Sequence, residues 1–407
     1  MILDYFRFSL STFGGRKLRT ALTILGIFIG IAAVVSLISL GQGMQNAIDE
    51  QFEMLGSDRI TVTPGGGDMS SPMTTELVAA KLYDHDVEVI QKVNGVDNAI
   101  GVLVRTTKVE YRGKSRHTML FASSTDSKSI KFIQNIDYFM LEKGRYPKES
   151  EKYKATVAYD TGNSLFDREI KIGEKIIVNG RNLEVVAITK KTGNPVHDTK
   201  VTMPLDTARD LFGVEDELSL IFVETNTGFE PAEVAENIED ALRKDHRVKK
   251  GEEDFTVTTA EQMIASFKGM LGMMQAFLVG IAFISLLVGG VGIMNTMYTS
   301  VLERTREIGI MKSIGARNID IMAVFVIESG LLGLVGGAVG VVMGYAIGKT
   351  TEMIVVASGV TMLKVFYSTE LIIGALLFSL IVGSLSGMLP AIEASRKNPA
   401  DSLRYRR

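Results

Sequence analysis

Residues suited to chemistry are sparse in this chain. Gly344-x-x-x-Gly348-Lys349-Thr350 has the residue types of a phosphate cradle, in which glycine amides wrap a phosphate and a lysine neutralises it. Such a loop places four residues between its glycines and this run has three, so nucleotide binding is not expected there. The four histidines, His85, His117, His197 and His246, are not spaced as a metal pair; solvated surface positions are expected for them, and no metal. The absence of cysteine removes thiolate metal sites, disulfides and a Cys nucleophile. Serines and carboxylates are plentiful, but neither Gly-x-Ser-x-Gly nor His-Glu-x-x-His occurs. No catalytic residue and no cofactor are expected. One carboxylate stands out by its surroundings. Glu328 lies eight residues beyond Asp320 in an otherwise apolar run, about 12 Å along a helix at 1.5 Å per residue. A charge at the bilayer centre costs about 2.5–3.5 kcal/mol on insertion scales. The preferred reading of Glu328 is a packing or hydrogen-bond anchor near one interface; a proton- or substrate-handling role is the alternative.

The elements that must position these residues are largely membrane spans. The chain of 407 residues is 46% apolar, an ordinary average that conceals strong segregation. Thr20–Ile48, Gly269–Leu302, Ser329–Gly348 and Leu371–Leu389 contain no charged residue. A hydrocarbon core of about 30 Å takes roughly 20 helical residues to cross, so each of these runs is a transmembrane helix candidate. The first is read as an uncleaved span, because its apolar run exceeds the roughly 7–15 residues of a signal peptide and no A-x-A site closes it. Residues 49–268 hold 29 basic and 38 acidic residues, against 15 and 9 in the remainder. An acidic domain is thus joined to a basic membrane part, and no basic patch points to nucleic acid.

The short flanks orient the spans, because the bias of Lys and Arg toward the cytoplasm acts on short segments and not on long domains. Arg7, Arg16, Lys17 and Arg19 precede the first span; Arg304, Arg306, Lys312 and Arg317 lie between the second and third; Arg396, Lys397, Arg404, Arg406 and Arg407 follow the fourth. The third-to-fourth loop has only Lys349 and Lys364. Both termini are therefore expected in the cytoplasm and residues 49–268 outside. The expected fold is a membrane protein of four transmembrane α-helices, with one large mixed α/β extracytoplasmic domain between helices 1 and 2. Its parts are a cytoplasmic interfacial helix over 1–19, spans over 20–48, 269–302, 321–348 and 371–389, a cytoplasmic loop over 303–320, a short outside loop over 349–370 and a cytoplasmic tail over 390–407. Within 49–268, the ends 49–115 and 220–268 are expected to pair, leaving 116–219 as an inserted lobe.

Local signals fill in this plan. Met44, Ala47, Ile48, Gln51, Phe52 and Leu55 continue one helical face beyond the first span, and Gly56 offers a C-terminal cap before a strand at Arg59–Thr63. Thr259-x-x-Gln262 has the form of a capping box ahead of the second span. Asn179-Gly180, between Lys175–Val178 and Arg181–Thr189, suits the positive φ angles of a type I′ hairpin, and Arg112-Gly113 reads similarly. Pro231–Lys244 has helical spacing. Small residues every four positions, at Gly336, Gly340, Gly344 and Gly348, let helix backbones approach closely in lipid, and Gly26 and Gly30 are expected to act likewise.

Several runs resemble the MacB-type ABC transporter permeases, a group that includes FtsX, LolC and LolE. Gly26-Ile-Phe-Ile-Gly30, Leu40-Gly-Gln-Gly43 and Leu55-Gly-Ser57 are similar to the group's first span and stalk. Glu303-Arg-Thr-Arg-Glu-Ile-Gly309-Ile-Met-Lys-Ser-Ile-Gly315-Ala316 resembles its most characteristic segment, and Pro390-Ala391 with Asn398-Pro399 its C-terminal end. The resemblance implies that an ATP-hydrolysing subunit binds the loop after the second span, with Glu303, Arg304, Arg306, Glu307, Ile308, Met311, Lys312, Gly315, Ala316 and Arg317 as coupling residues. Ile308, Met311 and Ile314 are expected on one face of this element. The resemblance further implies a working unit of two permeases, as a homodimer, and two ATPases. MacB carries its ATPase ahead of its first span; here 19 residues precede that span, so a separate ATPase chain is expected. Leu3, Phe6, Leu10 and Phe13 in this leader share a face suited to lying against membrane lipids. The implied function is coupling of ATP hydrolysis to motion outside the membrane, for export of peptides, lipids, lipoproteins or hydrophobic drugs. The alternatives are FtsX-like control of an extracytoplasmic partner enzyme, and ligand sensing, without transport.

Overall fold

The computed structural model describes residues 17–56, 58–65 and 80–400. The interfacial helix expected over 1–19 therefore lies outside the described residues save for its last three positions, as do positions 401–407 of the tail. The chain divides into two compact units: an α/β domain, Asn46–Lys268 with Val356–Met362, and a membrane unit formed by the remainder.

Helix α1 (Lys17–Leu55) is followed by β1 (Arg59–Pro64), β2 (Leu82–Tyr83), α2 (Asp84–Gln91), β3 (Val96–Tyr111), β4 (Lys114–Ser123), α3 (Ser127–Gln134), β5 (Leu141–Gly144), β6 (Lys154–Val157) and α4 (Tyr159–Asn163). Next come β7 (Lys175–Val178), β8 (Arg181–Thr189), α5 (Pro195–Asp198), β9 (Val201–Pro204), α6 (Leu205–Phe212), β10 (Glu217–Leu218), β11 (Leu220–Thr225), α7 (Pro231–His246) and β12 (Phe255–Thr259). The main sheet has the order β12-β1-β11-β3-β4-β9-β6-β8-β5, with β7 pairing to β3 and β8. Strand β1 runs antiparallel between β11 and β12, with Ile60 opposite both Val223 and Thr259. Two hairpins turn where the sequence places them: Asn179 and Gly180 have φ of +47° and +80°, Arg112 and Gly113 +48° and +83°, the positive pair that a type I′ turn requires.

The ends of the domain do meet, in β12, β1, β11 and β3, but the middle is not set apart from them. Strand β3 has 16 residues. Its first part pairs with β11 and its second with β4 and β7, so the strands of 116–219 extend the same sheet. Alternation along β3 serves two cores. Leu103, Val109 and Tyr111 join a cluster with Ile90, Val234, Ile238 and Leu242 of the helices α2 and α7. Ile100, Val102 and Val104 join Phe132, Ile133, Ile136 and Tyr138.

The membrane unit consists of most of α1, α8 (Ala260–Glu303) and α10 (Asn318–Ala357), with α9 (Thr305–Ser313) and α11 (Thr369–Arg396). Among the described residues four helices, α1, α8, α10 and α11, are long and apolar enough to cross a membrane. Helix α8 has 44 residues and is about 66 Å long, twice the hydrocarbon thickness, so it extends well past a bilayer. Its start is held by the capping box seen in the sequence: Thr259 N donates to Gln262 Oε1 at 3.0 Å and Gln262 N to Thr259 Oγ1 at 3.1 Å.

Glycines set how closely the spans approach. A Cβ on Gly26 would lie 2.7 Å from Gly289 Cα and one on Gly289 2.7 Å from Ile27 N, so α1 and α8 touch backbone to backbone; Gly30 meets Leu286 on the same side. From α10, Gly340 faces Ile31 and Gly344 faces Ala32 O and Val35 of α1, while Gly348 faces Tyr367. Gly336 is buried. A second set, absent from the expected one, joins α10 to α11: Gly333 and Gly383 oppose each other, and a Cβ on Gly383 would lie 2.6 Å from Ser329 O. The phosphate-loop-like run Gly344–Thr350 lies wholly inside the α10 helix.

Candidate functional site: the short helix after the second span

Helix α8 ends at Glu303, and α9 follows after one residue. That residue, Arg304, is mostly buried and binds in two directions. Its Nη1 lies 2.9 Å from Glu328 Oε2 on α10 and its Nε 2.8 Å from Glu307 Oε2 on α9. The guanidinium carbon sits 5.4 Å from the Phe325 ring centroid. Glu328 thus finds its counter-charge 24 residues away, and among the described residues Arg304 is the one cation ion-paired with it.

A second latch holds α9 to the end of α11. Lys312 Nζ donates to Ser395 O at 2.6 Å and Lys397 O at 2.8 Å. These carbonyls stand at the C-terminus of α11, where free acceptors and the helix dipole both favour a cation. Lys397 Nζ in turn lies 3.3 Å from Thr305 Oγ1, and Thr305 is buried.

The end of α9 is shaped by glycine. Gly315 has φ of +104°, Gly315 N donates to Lys312 O at 3.1 Å and Ala316 N to Met311 O at 3.0 Å. This is the paired bonding of a Schellman C-terminus, with its usual apolar contact beyond the cap: Met311 and Ala316 both pack against the core cluster that contains Ile308, Phe325 and Ala391. The chain then reverses into α10, where Asp320 Oδ2 accepts from Arg317 N at 3.0 Å and the Arg317 side chain lies 3.3 Å away.

The coupling set named from the sequence therefore divides. Arg304, Ile308, Met311, Lys312 and Ala316 face inward and hold the element; Glu303, Arg306, Glu307, Gly315 and Arg317 are exposed. The expected face of Ile308, Met311 and Ile314 does not hold together, for Ile308 is fully buried and Ile314 is 82% exposed. Six residues on, a helix of 3.6 residues per turn has rotated Ile314 about 120° from Ile308, and Gly315 ends the helix there. The exposed apolar residues are instead Ile310 and Ile314, with Leu302 and Ile319 flanking them. The Lys312 and Glu328 partnerships escaped sequence reading. Glu328 is marked only as a single carboxylate inside an apolar run, and nothing distinguishes Lys312 from the other cations of its loop.

The histidines also need correction. His117 is exposed, as expected. His197 stacks on Tyr138 with ring centroids 3.9 Å apart, and burial pushes its pKa down to about 3. His246 lies between two carboxylates. Beside His197, Lys200 is wholly buried, donates to Tyr138 O at 3.2 Å and places its ammonium 3.6 Å from the Phe139 centroid. Burial lowers its pKa to about 7. Tyr138 in turn donates to Gln51 O at 2.5 Å. Nearby, Thr361 N donates to Gly193 O at 3.0 Å, tying the Val356–Met362 segment into the domain.

Residues 20–241 match the family described as MacB-like periplasmic core domain, and residues 279–399 the family described as FtsX-like permease C-terminal. The chain is 37% identical over 401 residues to an uncharacterized ABC transporter permease of Methanocaldococcus jannaschii, covering 98% of each chain. It is 27% identical to an uncharacterized ABC transporter permease of Bacillus subtilis, covering 99% of each. It is 31% identical to the macrolide export ATP-binding/permease protein MacB of Neisseria meningitidis, covering 98% of this chain and 61% of that one. Among solved structures, the periplasmic region of MacB from Actinobacillus actinomycetemcomitans aligns with 54% of this chain and 97% of its own, at 14% identity and a TM-score of 0.45. The α/β domain is accordingly extracytoplasmic, and the apolar helices make this a multi-pass membrane protein.

Proposed function

The chain belongs to the MacB/FtsX-type family of ABC transporter permeases, and from that premise we propose that it is a non-catalytic subunit carrying force from an ATP-hydrolysing partner to its extracytoplasmic domain. The observation behind this reading is the double latch on α9. A short helix bonded inward to α10 through Arg304–Glu328, and to α11 through Lys312, transmits a push to both spans. Its outer face presents Glu303, Arg306 and Glu307 around Ile310 and Ile314. An apolar centre with a charged rim suits docking in a partner's groove, the charges fixing register. The working unit is two copies of this chain with two ATPase subunits as separate chains. Both termini and α9 face the cytoplasm. Motion passes along α1 and α8, whose helices run unbroken from the spans into the residues of the α/β domain.

The cargo class is hydrophobic or amphipathic: peptides, lipids, lipoproteins or apolar drugs. An apolar groove of about 410 Å³ lies among α1, α8 and α11, lined by Ile31, Val34, Phe283, Leu286 and Phe378, and by Glu370. Such a surface accepts an acyl chain or an apolar ring system more readily than an ion.

Replacing Glu303, Arg306 and Glu307 together by Ala tests the docking. The variant inserts normally and loses co-purification with the ATPase; full retention of the ATPase overturns the docking reading. Because the chain lacks cysteine, Arg181→Cys and Arg404→Cys report topology. A membrane-impermeant thiol reagent added to intact cells labels the first and spares the second, and the reverse pattern rejects the orientation.

A further inference from the structure

Two pairs of adjacent Asp and His residues far apart in sequence converge in the α/β domain. His85-Asp86 opens α2 and Asp245-His246 closes α7. The contacts between them join residues 160 positions apart. His246 Nε2 lies 3.0 Å from Asp86 Oδ1, and His85 Nε2 lies 3.2 Å from Asp245 Oδ1. One ligand atom each from Asp86, Asp245 and His246 fall within 4.8 Å of one another. We propose that His85, Asp86, Asp245 and His246 form a binding site for a first-row divalent cation of the zinc type.

Three features argue for a cation site over a chance meeting of charges. The other nitrogen of the inner histidine is already oriented: His246 Nδ1 lies 2.8 Å from Asp254 Oδ1. A carboxylate on the second imidazole nitrogen is the arrangement that fixes the tautomer and raises the basicity of a metal-binding histidine. Asp86 is equally held, since its Oδ2 accepts from Tyr83 N at 2.7 Å, leaving Oδ1 to face His246. The remaining pair, His85 and Asp245, lies on the more open side of the cluster, 3.2 Å apart.

The donor set selects the ion. Zinc bonds to imidazole nitrogen and carboxylate oxygen at about 2.0–2.2 Å, so tetrahedral ligand atoms stand roughly 3.3 Å apart. The two closest separations, 3.0 and 3.2 Å, fall just short of that value. Two imidazoles disfavour Ca2+ and Mg2+, which take oxygen ligands. Charge agrees, because Asp86, Asp245 and Asp254 bring three carboxylates to two histidines in a domain with an acidic surplus. A bound ion would tie the start of α2 to the end of α7, while His246 holds Asp254, one residue before β12, which runs directly into α8.

The test uses the full chain in detergent, free of affinity tag and stripped with chelator. Equilibrium dialysis against Zn2+ measures stoichiometry, and Co2+ serves as the optical probe of geometry. The site predicts one equivalent of Zn2+ per chain and the intense visible bands of tetrahedral Co2+. His246→Ala abolishes both, and Asp254→Asn weakens affinity by roughly 10–100-fold. His85→Ala, at a solvent-facing position that leaves the core untouched, also weakens binding, which keeps the test valid if His246→Ala misfolds. No stoichiometric binding, or binding unchanged in His85→Ala and Asp254→Asn, overturns the proposal and leaves the cluster as an ion-pair network alone.

Discussion

Removing Arg304 and removing Glu328 should not be equivalent, although each breaks the same bond. At 2.9 Å and an effective dielectric of about 20, the gross attraction between the two charges is roughly 6 kcal/mol. Desolvation of both groups cancels much of it, since both side chains are nearly buried. What remains depends on what each deletion leaves behind. In Glu328→Gln the guanidinium keeps Glu307, 2.8 Å away at the exposed side of α9, and the amide still accepts a hydrogen bond. The cost should be that of one charge-assisted bond, about 1.5–3 kcal/mol. In Arg304→Met the carboxylate of Glu328 stays buried on α10 without its cation, a situation that costs about 3–5 kcal/mol. The double variant Arg304→Met/Glu328→Met strands no charge, and should recover a large part of the Arg304→Met loss. The assay is denaturant-induced unfolding of the full chain in mild detergent, read by near-UV circular dichroism and repeated thermally. The expected order of stability is wild type, then Glu328→Gln and the double variant, then Arg304→Met. Equal losses in the two single variants, or losses that simply add in the double, would refute the asymmetry and with it the inward latch.

Other consequences follow from the same geometry. Lys312→Met removes two bonds to the α11 C-terminus; it should lower stability by about 1.5–3 kcal/mol and diminish ATPase-linked activity while the ATPase still co-purifies. Gly383→Val places side-chain atoms against Ser329 O and the Gly333 backbone, and should cost about 1–3 kcal/mol by overpacking, whereas Gly374→Val, where a Cβ meets nothing, should be near neutral in the same unfolding assay. Lys200 yields a pH dependence. Its folded pKa of about 7 lies below the ordinary 10.5 because burial disfavours the ammonium, so the unfolded chain binds the proton more tightly and stability should rise between pH 7 and about 10.5. Lys200→Met should flatten that rise in thermal unfolding scans at stepped pH.

What the sequence revealed, it revealed locally. Asn179-Gly180 and Thr259-x-x-Gln262 name their geometry because the residues that bond are two or three positions apart, and the four apolar runs announce spans by length alone. The Glu303–Ala316 segment was visible, but its inner and outer faces were not. Counting Ile308, Met311 and Ile314 as one stripe ignores the drift of a 3.6-residue period over two steps of three, and the helix stop at Gly315. Partnerships across the fold were hidden for a different reason. Lys312 reaches carbonyls more than 80 residues on, and carbonyl acceptors have no residue-type signature. His246 and Asp86 are joined only because α2 and α7 pack on the same face of one sheet. Gly383 looked like one glycine among many in a span until Gly333 was set against it. Continuity of the sheet through 116–219 depended on the length of β3, which no turn signal in its interior could disclose.

Force is proposed to enter at α9, and site-specific photo-crosslinking tests that most directly. A photoreactive residue placed singly at Arg306, Ile310 or Ile314, on the exposed side of α9, should capture an ABC ATPase subunit in native membranes. The yield should change when a non-hydrolysable ATP analogue is added. The same probe at Lys364, in the loop before α11, should capture none. Crosslinks to the ATPase from Lys364 but not from α9, or no nucleotide-sensitive capture from any of the three α9 positions, would contradict the claim that this helix is the coupling element.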